Sequence, residues 1–284
     1  MPKQKNTNIT AENSAAENKR QVANSDPIGI FDSGVGGLSI AQCIHQQLPH
    51  ENLLYVADTL HAPYGDKSTE FIQQRVNEIA HWFIERNAKA IVVACNTATV
   101  NAIDQLRKNI SIPVIGVEPA IKPAASLSKN KKVAILVTKA TAENQRFLAL
   151  VAQYRHISDV IIQPCPGLVE LIERNENNSA ECELLLSAYL QPLLGKAVDT
   201  IVLGCTHYPL VKGLIKKICG NHVVIMETAL PVTEQLQRQL TRNNLINSST
   251  NKGTSSFYSS KHGDIQQALF NHIWQQPLQL NSYP

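Results

Sequence analysis

Two short stretches, AIVVACNTA at 90–98 and TIVLGCTHY at 200–208, decide how this sequence is to be read. In each, a run of β-branched and apolar residues, the composition of a buried strand, ends on a small residue, a cysteine and two polar residues. The pairs are Ala94-Cys95-Asn96-Thr97 and Gly204-Cys205-Thr206-His207. Two further pairs keep the same order. IGIFDSGVGG at 28–37 answers to VAILVTKATA at 133–142, and PVIGVEPA at 113–120 to VVIMETALP at 223–231. By subtraction of positions, Cys95 and Cys205 lie 110 residues apart, and Glu118 and Glu227 lie 109 apart. Matches in one order at nearly one offset imply a duplicated unit.

Working outward, the chain alternates short apolar runs with longer helical patterns, which predicts parallel-sheet α/β architecture. Strands are expected at 28–31, 53–57, 90–94, 114–117, 133–137, 160–163, 200–203 and 223–226. Helices are expected at 39–47, 70–86 and 180–194, with a short FYSS strand and a last amphipathic helix at 264–274. The expected fold is two similar parallel-sheet α/β lobes related by a pseudo-twofold axis, with the active site between them. Residues 27–119 plus 229–284 would form one lobe and 120–228 the other. Residues 1–26, rich in Asn, Lys, Glu and Ala, read as a polar, disordered extension.

Composition narrows the classes of function. A net charge of +3 over 284 residues, with the basic residues scattered, does not predict a nucleic-acid surface. No apolar run reaches the roughly 20 residues of a membrane span, and the polar start offers no signal-peptide core. Six cysteines without a CxxC spacing fit neither a disulfide framework nor a zinc ribbon, so a cytoplasmic protein with reduced thiols is expected. His61, His81 and His207 lack metal-ligand spacing, and no metal is expected.

Parallel sheets bind ligands at the carboxyl ends of their strands, where both cysteines fall. Each thiol would sit at the start of the following helix, whose free N–H groups lower a thiol pKa and attract carboxylates. Two halves facing one another would aim the thiols at one ligand from opposite sides. That suits removal of a proton from one face of a tetrahedral carbon and its return to the other. Most cysteines merely fill cores, which is the reading given to Cys43, Cys182 and Cys219; Cys165, in QPCPG, is less clear.

At these residues the sequence resembles the cofactor-independent aspartate/glutamate racemases, the glutamate racemases in particular. The resemblance runs through GIFDSGVGGLS (29–39), YVADTLHAPYGDKS (55–68), VVACNTAT (92–99), IPVIGVEPAIKPA (112–124) and TIVLGCTHYPL (200–210). It implies L- and D-glutamate as substrates, no cofactor, and supply of D-glutamate for peptidoglycan. It implies that Cys95 takes the α-proton of D-glutamate and Cys205 that of L-glutamate. Asp32, Ser33, Tyr64, Gly65, Asn96, Thr97, Thr206 and His207 would line the site, with Asp58 and Glu173 as auxiliary carboxylates.

The residue types agree with those roles. Asp32 can accept from an ammonium or assist Cys95; its competing reading is a cap for the helix after the glycine turn. His207 can hold the proton balance of Cys205. GVGG lacks the Lys-Ser/Thr of a phosphate loop and reads as a tight turn. Glu227-Thr228 stands where the family usually has Asp-Ser, keeping charge and hydroxyl. Family members also suggest UDP-N-acetylmuramoyl-alanine as an activator and DNA gyrase as a partner; the expected assembly is a monomer or homodimer. The alternatives are a racemase for aspartate or another amino acid, and a non-catalytic binding protein such as a gyrase inhibitor.

Overall fold

The computed structural model describes residues 22–283. In chain order, the first half runs β1 (Ile28–Asp32), α1 (Leu38–Gln47), β2 (Leu53–Ala57), α2 (Thr69–Glu85), β3 (Ala90–Val93), α3 (Asn96–Asn109) and β4 (Val114–Gly116). The second half runs α4 (Ile121–Leu127), β5 (Lys132–Val137), α5 (Lys139–Glu143), α6 (Gln145–Ala152), β6 (Asp159–Pro164), α7 (Leu168–Glu173), α8 (Ala180–Gly195), β7 (Thr200–Leu203), α9 (Lys212–Cys219) and β8 (Val224–Met226). The chain then closes with α10 (Ala229–Arg242), β9 (Ser255–Ser259), α11 (Asp264–Trp274) and β10 (Leu280–Ser282).

The strands form two parallel sheets, ordered β10-β9-β2-β1-β3-β4 and β6-β5-β7-β8. The duplication is visible in that order: β2-β1-β3-β4 and β6-β5-β7-β8 are the same arrangement. Register agrees as well. Phe31 pairs with Val93, two residues before Cys95, and Leu136 pairs with Leu203, two residues before Cys205. Asp32 and Val137 therefore occupy equivalent positions, as do Ser33 and Thr138.

Each sheet is covered on both faces, which is why its strands are nearly continuous in apolar residues. In the first lobe Ile28, Ile30 and Val92 pack with residues of α1, α10 and α11. On the other face Phe31, Ile91 and Val93 pack with residues of α2 and α3. In the second, Ala134, Leu136 and Ile201 meet α7, α8 and α9, while Val133, Ile135 and Val202 meet α4 and α6. The alternation of faces along each strand places Cys95 with Ile91 and Val93, and Cys205 with Ile201 and Leu203.

Two features depart from the sequence reading. The segments 121–127, 139–143, 145–152 and 168–173 are helical, the middle two divided by Asn144 in extended backbone; each is too short to show a clear helical period. Residues 22–26, read as part of a loose extension, are tied to the first lobe. The buried Lys89 donates to the backbone oxygen of Asn24 and pairs with Glu51 at 2.5 Å, while Asn52 Nδ2 donates to Ser25 O at 2.9 Å. The rest of the expected extension, 1–21, lies outside the described residues.

Candidate active site

Strand ends β1, β3, β5 and β7 bring the candidate residues together. Cys95 is the N-cap of α3, and its sulfur accepts from Ala98 N at 3.5 Å. Ser33 Oγ lies 3.5 Å from the same sulfur. Cys95 is 4% exposed. Burial pushes its pKa up and the nearby Asp32 adds to this, outweighing the Ala98 N–H and Ser33. The expectation that the helix start would lower this pKa is thereby corrected: desolvation wins, and Cys95 holds its proton at neutral pH.

Asp32 takes the capping role that was its competing reading. Its oxygens accept from Ser33 N at 2.8 Å and from Gly37 N, at the start of α1, at 2.7 Å. Longer contacts of 3.4 and 3.5 Å come from Thr206 Oγ1 of the other lobe. Burial raises its pKa against the pull of His207.

Cys205 has different surroundings. It leads into a 3-10 turn, Tyr208–Val211, before α9 begins, so the expected helix start beside this thiol is absent. In its place His207 Nδ1 lies 3.9 Å from the sulfur, and His207 Nε2 meets Glu173 Oε1 at 2.5 Å. Burial works against a charged ring, but the bonds to Cys205 and Glu173 and the charge of Glu173 outweigh it. The imidazole pKa is thereby raised well above its ordinary 6.5. Glu173 Oε1 also accepts from Val35 N of the first lobe at 2.8 Å.

That contact explains the glycine loop. A Cβ on Gly34 would run into the Glu173 carboxylate, and one on Gly36 would meet the backbone and ring of His207. Neither glycine has a positive φ. They are required by the approach of the second lobe more than by the turn.

Of the remaining expected residues, Thr97 Oγ1 lies 2.9 Å from Thr138 Oγ1, and Gly65 packs against Thr138. Asn96 Nδ2 donates to Val117 O at 3.3 Å, leaving its buried Oδ1, like Glu173 Oε2, with no protein donor among the described residues. Tyr64 is buried, and its hydroxyl donates to Asp58 at 2.7 Å. The carboxylate of Asp58 is engaged on all sides by its neighbours. Its two oxygens also take both Arg75 Nε and Nη2, at 2.9 Å each, and His61 Nδ1 at 2.9 Å. Against its burial, these partners hold the carboxyl below its usual range.

Sequence reasoning missed Thr138 and Thr141, whose hydroxyls lie 2.9 and 3.4 Å from that of Thr97. The signal was present, since the repeat sets Thr138 opposite Ser33. Cys165 occupies the place of Asp58: Asp58 N bonds to Asp32 O, and Cys165 N to Val137 O. Burial, and next Cys205, push the Cys165 thiol up. Cys182 and Cys219 are buried in the core of the second lobe. Glu227 forms an ion pair with Lys212, and Thr228 precedes α10. Among the described residues no cluster of His, Cys, Asp or Glu has the form of a metal site, and no helix is long and apolar enough to cross a membrane.

Residues 28–233 match the family model described as Asp/Glu/Hydantoin racemase. A glutamate racemase of Methylococcus capsulatus is 45% identical over 251 residues, covering 88% of this chain and 93% of that protein. A crystal structure of glutamate racemase from Francisella tularensis, in complex with D-glutamate, superposes with a TM-score of 0.81 at 31% identity, covering 92% of this chain and 98% of that one. The Escherichia coli enzyme, in complex with L-glutamate and the activator UDP-MurNAc-ala, gives a TM-score of 0.79 at 29% identity, covering 90% and 97%.

Proposed function

The chain belongs to the Asp/Glu/hydantoin racemase family, and we propose that it interconverts L- and D-glutamate by passing protons between Cα and the thiols of Cys95 and Cys205. The observation that carries this reading is the equivalence of the two thiols. They end corresponding strands of a repeated sheet, each with its own polar partners. Inversion needs an acid and a base on opposite faces of one carbon, and a duplicated fold supplies one from each half.

In the L-to-D direction Cys205, backed by His207 and Glu173, removes the α-proton. Cys95, which rests as a thiol, delivers its own proton to the opposite face. In the reverse direction the roles exchange. No cofactor takes part. The carbanion is held by oriented N–H and O–H groups in a site closed to water. Ser33, Tyr64, Gly65, Asn96, Thr97 and Thr206 line that site, with Asn96 Oδ1 a buried acceptor available to an ammonium. Residues 27–119 with 229–284 and residues 120–228 act as its two walls. The product D-glutamate serves peptidoglycan synthesis in the cytoplasm.

In D2O without added cofactor, either enantiomer should lose its optical rotation and gain deuterium at Cα. Retained racemisation in a Cys95→Ala, Cys205→Ala double variant would overturn the reading. Comparing kcat/KM for glutamate and aspartate tests the substrate. The Escherichia coli relative extends the proposal to activation by UDP-N-acetylmuramoyl-alanine. Its test is the activity of the full chain, and of a chain beginning at residue 22, with and without that nucleotide.

A further inference from the structure

One stripe of α3 carries the seam between the lobes. Thr97, Asn101 and Asp104 stand four and three residues apart, the spacing that puts side chains on one helix face. Each meets the second lobe. Thr97 faces Thr138 and Thr141; Asn101 Oδ1 accepts from Asn144 Nδ2 at 3.1 Å; Asp104 meets Arg146 Nε at 3.3 Å.

The partners across the seam are equally ordered. Thr138 caps α5 and Asn144 caps α6, so the two residues framing this five-residue helix are also the ones that reach across. Asn144 Oδ1 takes the N–H groups of Arg146 and Phe147, which leaves its NH2 for Asn101. Asn101 is committed on every side. Its Oδ1 also accepts from Thr69 Oγ1 at 2.9 Å, its Nδ2 donates to Thr97 O at 2.8 Å, and its backbone oxygen accepts from Gln73 Nε2 at 2.9 Å. An amide with its donors and acceptors so engaged has one orientation. The ion pair at the outer end is different: Asp104 is 65% exposed, and such pairs contribute little.

The geometry points to Asn101 and Asn144 as positioning residues for the proton-transfer site. Joined as an amide pair, they fix α3 against α5 and so hold the hydroxyl of Thr97 in register with those of Thr138 and Thr141 around one substrate carboxylate. This rests on the glutamate reading of the cleft. The amides themselves do not touch the reacting atoms.

The test uses Asn144→Ser, which keeps a capping oxygen for α6 but cannot reach Asn101, together with Asn101→Ala and the double variant. Arg146→Ala serves as the control for the outer ion pair. Each asparagine variant should raise KM for both enantiomers roughly 5–20-fold with kcat within about twofold, the signature of lost substrate binding. The double variant should be no worse than the weaker single one. In the ligand-free proteins, backbone hydrogen exchange over 138–147 should quicken, while melting temperatures stay within about 2 °C. Unchanged KM and exchange, additive losses, or a loss as large in Arg146→Ala would each overturn the proposal. A wild-type chain that does not racemise glutamate would instead overturn the reading of the site, and the exchange data would still decide whether the amide pair couples the lobes.

Discussion

Glu173 and His207 meet at 2.5 Å, and the same Glu173 oxygen accepts from Val35 N across the cleft at 2.8 Å. One carboxylate thus fixes the charge of the ring behind Cys205 and ties the two lobes together beside it. The ring faces Cys205, Glu173 and Asp32, and their combined effect raises its pKa well above the ordinary 6.5. Glu173→Gln removes the charge and keeps the shape, so the His207 pKa should fall toward its ordinary value. The alkaline limb of the kcat/KM profile should then move to lower pH, with a loss of about 10–100-fold at neutral pH. Enantiomers have equal free energy, so kcat/KM must fall equally in both directions. A pH profile for each enantiomer checks this, and an unmoved alkaline limb would count against the relay.

The glycine loop offers a steric test of the same seam. Gly34→Ala drives a methyl group into the Glu173 carboxylate, and Gly36→Ala drives one into His207. Displacement of either side chain should cost about 100-fold or more in kcat/KM. Gly213, in α9, has nothing within 4 Å of an added Cβ. Gly213→Ala should leave activity intact and be neutral or stabilising, by up to about 1 kcal/mol. Steady-state kinetics and thermal melts on the three variants separate seam from scaffold.

Asp58 should behave as a structural residue. Arg75, His61 and Tyr64 together hold its folded pKa below the ordinary 3.8. A depressed carboxylate contributes stability above its unfolded pKa, and that contribution is lost as pH falls through the folded value. Asp58→Asn should therefore destabilise the protein by about 2–4 kcal/mol at neutral pH, because it takes the buried member of its two charge partners from Arg75 and leaves it only the exposed Glu78. It should also flatten the fall in stability below about pH 4. Urea unfolding at several pH values measures both effects.

The contrast between Asp58 and Glu173 marks the limit of what could be read in the sequence. The strands were legible because each is an apolar run closed by a polar turn, and the thiols because the repeat singled out Cys95 and Cys205. Both carboxylates looked alike as auxiliary acids. Only the packing separates them: Asp58 is surrounded by donors from its own lobe, whereas Glu173 reaches His207 and Val35. Gly34 and Gly36 read as turn residues because their neighbours, Glu173 and His207, lie 139 and 171 residues further on, and no local pattern records a steric limit of that kind. Thr138 was hidden for a related reason. Its equivalence to Ser33 could be read, but its contact with Thr97 depends on how the lobes face.

The last prediction concerns the thiols themselves. In Cys95→Ser the base on the Cys205 side remains while the acid on the opposite face is replaced by a hydroxyl of much higher pKa. Proton removal from L-glutamate can still occur, but delivery to the other face cannot keep pace, so the carbanion is reprotonated from the side it left. Deuterium should therefore enter L-glutamate faster than D-glutamate forms. Cys205→Ser should show the mirror-image result, with exchange into D-glutamate exceeding racemisation. Each single variant should lose about 1000-fold or more in racemisation, since both thiols act in one turnover. Mass spectrometry of the α-position together with circular dichroism measures the two rates. Equal exchange and racemisation in both single variants would mean that one base serves both faces, and the division of roles between Cys95 and Cys205 would have to be abandoned.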